Sequence, residues 1–180
     1  MSRPIQVRIS ESVVRTIHVE DGVQSPLEIL PVLGAERMAE LLASELDKLG
    51  FERDGNVARR NDPDGIEITV DLAAATVSVK IGAGAKLEEE TQRIGNAGTE
   101  DRMRGDARDE IERRFEAQTE ALRRDVTARL ERKLADLRKE LDGAVGRATV
   151  AALTERASQL GKIEEVLADD AGNVTIKVKL

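Results

Sequence analysis

The stretch from Thr99 to Leu160 has no proline and little β-branching, and it is built mostly from Ala, Leu, Arg, Glu, Lys and Asp. These are largely good helix formers. Apolar residues recur at Ile111, Phe115, Leu122, Val126, Leu130, Leu134, Leu137, Leu141 and Val145. Steps of three, four and seven put them on one helix face. Several also repeat at eleven: Phe115, Val126, Leu137 and Ala148, then Leu130, Leu141 and Ala152. That period favours a nearly straight or slightly right-handed course over a left-handed zipper. Opposite charges four apart (Glu100–Arg104, Asp109–Arg113, Glu110–Arg114, Glu120–Arg124, Asp125–Arg129) decorate the other faces, each pair adding only about 0.2–0.5 kcal/mol. At about 1.5 Å per residue, sixty residues of helix reach roughly 90 Å. Such a helix either pairs with a partner or folds back as a helical hairpin. The candidate hinge is Gly143–Gly146, since each interior Gly costs about 1 kcal/mol against Ala.

Upstream, residues 1–82 read as an α+β module. Ile5, Val7 and Ile9 alternate with polar residues, Ser10-Glu11-Ser12 reads as a turn, and Val13 to Val19 as a second strand. Leu27 to Leu33 is apolar without a clear period. Met38, Leu41, Leu42, Leu46 and Leu49 stripe a helix over Ala35 to Leu49, with Gly50 at its C-terminal cap. A tight hairpin follows around Asp54-Gly55-Asn56, and then the turn residues Asn61 to Gly65. The clearest strands are Ile66 to Leu72 and Val77 to Ile81. They form a small antiparallel sheet for which the helix at 35–49 is the cover. Gly82 and Gly84 read as the end of that sheet, residues 83–98 as a linker with a short helix at Ala85 to Ile94, and 161–180 as a C-terminal β-hairpin turning at Asp169 to Asn173.

Little here points to chemistry. The chain has no Cys, which excludes disulfides, thiolate metal sites and cysteine nucleophiles and fits a reducing compartment. Only Phe51 and Phe115 are aromatic, so nothing offers a stacking platform for bases, and a net charge of −7 opposes nucleic acid and anionic membranes. No apolar run approaches a membrane span, and no signal core opens the chain; the expected location is cytoplasmic. His18 is the single histidine and has no triad or metal partners beside it in sequence. Gly82-Ala-Gly84-Ala-Lys86 lacks the spacing and hydroxyl of a phosphate loop. Gly95 to Thr99 leads into a helix start, but Glu100 and Asp101 already supply its negative charge. Asp62 and Asp64 lack the twelfth-position Glu of a calcium loop. No catalytic, cofactor-binding or metal-binding residue is assigned.

Two segments carry a likeness. One is the Leu-rich helix ending Leu49-Gly50-Phe51, with Ile66-Glu-Ile-Thr-Val-Asp-Leu72 and Thr76-Val-Ser-Val-Lys-Ile81. The other is Gln159-Leu-Gly-Lys-Ile-Glu-Glu-Val166 with Gly172-Asn-Val-Thr-Ile-Lys-Val-Lys-Leu180. Together they cover about a third of the chain and resemble accessory proteins of bacterial AAA+ ATPases of FtsH or MoxR type, in multi-component systems of conflict or stress. The resemblance implies a non-enzymatic adaptor or substrate-like component and transfers no functional residues.

The sequence thus predicts an α+β interaction protein acting through its long, coiled-coil-like helix. A protein partner or a second copy would bind the stripe Phe115, Leu122, Val126, Leu130, Leu134, Leu137 and Leu141. The alternatives are a carboxylate- and metal-dependent enzyme using loops 61–65 and 169–173, or a chaperone-like clamp on unfolded clients.

Overall fold

Alternation along the first strand is longer than a turn at 10–12 would allow. In the computed structural model, which describes residues 5–168 and 174–179, β1 runs unbroken over Gln6–Pro26. There follow α1 (Ala35–Asp47), β2 (Glu52–Asp54), β3 (Val57–Asp62), β4 (Ile66–Asp71), β5 (Thr76–Asn96), α2 (Glu100–Leu160), β6 (Lys162–Ala168) and β7 (Val174–Lys179). The first five strands form one antiparallel sheet in the order β1-β5-β4-β3-β2, and β6 pairs with β7. The fold is α+β. It divides into two units, Met1–Asp21 with Ile81–Leu130 and Gly22–Lys80 with Glu131–Leu180.

In the first unit a ribbon of β1 and β5 carries the first half of α2. The odd-numbered residues Val7, Ile9, Glu11, Val13, Ile17 and Val19 are buried or half-buried, while Gln6 through Glu20 at even positions are exposed. The same parity continues in β5, from Ile81 to Thr91. The inner face is only partly apolar, because charges stand on it and meet opposite charges on the helix. Arg15 is bidentate to Glu112 at 2.8–2.9 Å and lies 4.8 Å over the Phe115 ring. Arg114 reaches Glu89 at 3.2 Å, Arg93 pairs with Glu110, and Arg108 stands 3.9 Å from Glu11.

Two expectations are corrected here. Ser10-Glu11-Ser12 is strand, not turn: both serines face solvent and Glu11 faces the helix. Residues 83–96 are strand as well, neither linker nor helix. Gly82 and Gly84 do not end the sheet; the His18 ring lies across them, within about 3.4–3.6 Å of where their Cβ atoms would stand. A glycine inside a strand marks such a close approach.

Helix α2 starts where Gly98 (φ +91°) turns the chain. Its Met103 N–H donates to Thr99 O at 3.0 Å, and the Glu100 carboxylate accepts from Gly98 N–H at 2.7 Å. The helix is then continuous for 61 residues. Neither the helical hairpin nor the break at Gly143–Gly146 is present. Ala144 and Ala148 on that stretch are fully buried, so packing of the surrounding face offsets the poor propensity of glycine.

The second unit builds its core from two helices on one sheet face. Met38, Leu42, Ala43 and Leu46 of α1 are buried, as are Ala58, Ile66, Ile68, Val70, Val77 and Val79 of the strands and Leu137, Leu141, Ala144, Ala148 and Ala152 of α2. The sequence assigns α1 alone as cover; the second half of α2 shares that task. Ion pairs Arg37–Glu155 (2.9 Å) and Arg147–Glu45 (2.6 Å) show the two helices running antiparallel side by side. Gly50 (φ +81°) closes α1, with its N–H on Asp47 O and that of Phe51 on Leu46 O. The β2–β3 hairpin turns through Gly55 at φ +59°, and β3–β4 turns at residues 63–65 as expected. The β6–β7 hairpin is present, and Gly161 is needed beneath it because a Cβ there would strike Lys179 O. Its turn at Asp169 to Asn173 lies outside the described residues.

Carboxylates tie this unit together and set its pH response. Hydrogen bonds from Lys48 and Arg147 hold the buried Glu45 below its ordinary 4.5. Arg60 does the same for Glu140. Burial alone would push Asp62 up, but Lys133 and Arg60 together bring it below its ordinary 3.8. Groups depressed in the folded state stabilise fully above their unfolded values and lose that contribution as pH falls through the folded ones. The melting temperature should therefore hold between about pH 6 and 8 and drop steadily from about pH 5 to about pH 3. A flat acid limb in calorimetry would show that these pairs contribute nothing.

Candidate functional site

The seven residues of the helical stripe do not share one fate. Phe115, Val126 and Leu130 are buried inside the first unit, where the chain's own strands already occupy that face. Leu122 beside them is half-buried. Phe115, Val126 and Leu130 thus pack against the chain itself, and Leu122 is partly open. Leu134, Leu137 and Leu141 differ: all three line an open groove of the second unit, with a volume of about 770 Å³.

The groove floor is apolar. Val77 and Val79 of β5 lie at its base with Leu137 and Leu141 of α2, each under a tenth exposed. One wall is α2, with Leu134, Val145, Val150 and Leu153. The other is the end of β1 and the irregular segment after it, with Val23, Pro26, Leu27 and Leu30. Pro26 and Pro31 keep that segment out of helix. Its N–H groups find near neighbours instead, Ile29 on Leu27 O at 3.0 Å and Val32 on Leu30 O at 2.9 Å, and Leu27 N–H is tied to Ala75 O at 2.7 Å. Leu30 and Leu153 stand 63% and 39% exposed at the rim, beside the apolar floor. Glu28, Arg138 and Asp142 add charge at the edge, with Arg138 3.9 Å from Asp142. Its size and apolar floor suit a binding groove, and Ser25 and Thr149 join the charged groups on its lining.

The other sequence candidates are used elsewhere. His18 is exposed and sits 3.0 Å from Glu20, its ring over Gly82 and Gly84. Asp62 is held by Arg60 and Lys133, and Asp64 occupies a turn at φ +66°. Asp169 and Asp170 lie outside the described residues. Among the described residues, no group of three or more His, Asp or Glu side chains is placed to hold a metal ion, and no helix is long and apolar enough to cross a membrane. Periodicity along α2 finds only one wall of the groove. The opposite wall is announced solely by an apolar run, Leu27 to Leu33, that fits neither helix nor strand.

The chain is an α+β protein of two units, the second of which carries a groove between α2 and its sheet. The chain belongs to the family FtsH ternary system domain X5, whose model it matches over residues 1–180. It is thus an accessory component of an FtsH-associated multi-component system, and such membership implies protein partners. No curated protein and no solved structure matches it.

Proposed function

We propose that the protein is a non-catalytic adaptor of its FtsH-associated system, acting in the cytoplasm on protein rather than on nucleic acid or membrane. It seats an apolar segment of another component in the groove of the second unit. Leu134 belongs to the contact wall and Leu137 and Leu141 to the floor, and Leu30 and Leu153 close over the guest. The observation that carries this reading is the exposed apolar rim above a buried apolar floor, in a chain whose family is defined by membership of a multi-protein assembly. Hot spots of protein recognition lie in such desolvated apolar pockets.

The test is co-purification with the other components of the system. The double variant Leu30→Asp, Leu153→Asp places two charges on exposed sites, so folding should be unaffected and the melting curve should match wild type. Capture of a partner should fall at least about tenfold. Undiminished capture by this variant would remove the groove from consideration.

A further inference from the structure

A second surface is built for a different occupant. β1 is the last strand of its sheet, so one edge of it is open among the described residues. In a strand, the N–H and C=O of successive residues point to alternate sides. Ala97 N–H donates to Ile5 O at 2.9 Å, so odd-numbered residues of β1 bond toward β5. Counting inward from that bond places His18 opposite Gly84, where its ring is found. At the far end Leu27 N–H donates to Ala75 O in the same register, so no bulge shifts the strand between these two bonds. Even-numbered residues from Gln6 to Glu20 therefore aim their N–H and C=O outward, and their side chains are all exposed. Edges this long are ordinarily blunted by proline, a bulge or a covering segment; residues 6–20 hold no proline, and no strand pairs on their outer edge among the described residues.

The exposed face of this edge is complementary to itself. Laid antiparallel to a copy about Val14, Arg8 falls opposite Glu20, Ser10 opposite His18, Ser12 opposite Thr16, and Val14 opposite Val14. All of these are even positions, so every opposed pair has its N–H and C=O facing across the junction. Val14, the apolar centre, is 51% exposed. On the inner face Ile9 would meet Val19, and no like charges oppose. Moving the centre to Ser12 or Thr16 sets Arg8 against Thr16 or Gln24 and loses both ion pairs. Two strands per copy, at about 4.8 Å each, also separate the two α2 helices by about 10 Å, the usual spacing of packed helices.

We infer that the occupant of this edge is a second copy of the chain, joined β1 to β1 about a two-fold axis at Val14. Such an isologous contact closes on itself and produces a dimer rather than a fibre.

Light scattering after size exclusion, over a hundredfold range of concentration, should give a mass rising to twice the 19.7 kDa of the chain. Val14→Pro removes an outward N–H and leaves the β5 ladder intact; it should give monomer with an unchanged circular dichroism spectrum. Arg8→Glu and Glu20→Arg, made singly, place like charges in opposition and should each weaken the dimer about tenfold. Combined, they restore it. A wild-type monomer at every concentration would overturn the inference. So would a dimer indifferent to Val14→Pro, or one that the combined charge swap fails to rescue.

Discussion

Val126→Asp should strongly destabilise the first unit. The side chain of Val126 is 0% exposed, and no cation is paired with that position. A carboxylate there must either shed its charge or draw in water, at a cost of more than about 4 kcal/mol. In a chain of this size that lowers the melting temperature by more than about 10 °C. Arg113→Gln, on the exposed face of the same helix, should stay within about 0.5 kcal/mol of wild type. The contrast follows from the eleven-residue repeat. Phe115, Val126, Leu137 and Ala148 are all buried, as are Leu130, Leu141 and Ala152. Eleven residues make just over three whole turns, so the face drifts little and stays against its own strands. Thermal melts followed at 222 nm decide the matter; equal midpoints for the two variants would mean the stripe is not core.

Arg60→Ala is the second large effect, and it lies in the other unit. The Arg60 guanidinium grips both Glu140 oxygens at 2.8 Å, donates to Leu49 O at 2.8 Å, stands 2.8 Å from Asp62 and covers the Phe51 ring at 4.6 Å. Its side chain is only 13% exposed. Removing it strands Glu140, leaves Asp62 to Lys133 alone and uncovers one of the two phenylalanines. Loss of one partner from a buried pair costs about 3–5 kcal/mol, and the partial exposure of Glu140 brings the expectation to about 3 kcal/mol. Arg60→Lys keeps the charge but neither the two-pronged grip nor the flat stack, and it should recover less than half. Full recovery by lysine would mean that only charge matters at this site.

The parts of this fold that are legible in the sequence are those where one face is apolar and the other polar. Ile66 to Leu72, Val77 to Ile81, α1 and the α2 stripe all follow that rule. Residues 83–96 escape it because Glu89 and Arg93 point inward, answered by Arg114 and Glu110, so hydropathy shows no alternation. Serines on the solvent side of β1 imitate a turn for the same reason: pattern alone does not separate an exposed strand residue from a loop residue. The division of the stripe is also invisible in sequence. Phe115 and Leu137 have equal apolarity and the same spacing, yet the first is enclosed and the second borders a groove. What separates them is the segment at Leu27 to Leu30, more than a hundred residues away along the chain.

The charges between ribbon and helix in the first unit have one more consequence. Apolar seams are permissive: a strand moved along by two residues keeps its buried side buried. Here that slip would bring Leu87 or Thr91 under Arg114 in place of Glu89, and Val13 or Ile17 under Glu112 in place of Arg15. Several carboxylates and guanidinium groups would lose their counterparts at once. The seam thus acts as a ratchet tooth, giving the helix a single seat on a ribbon whose shape alone would accept several.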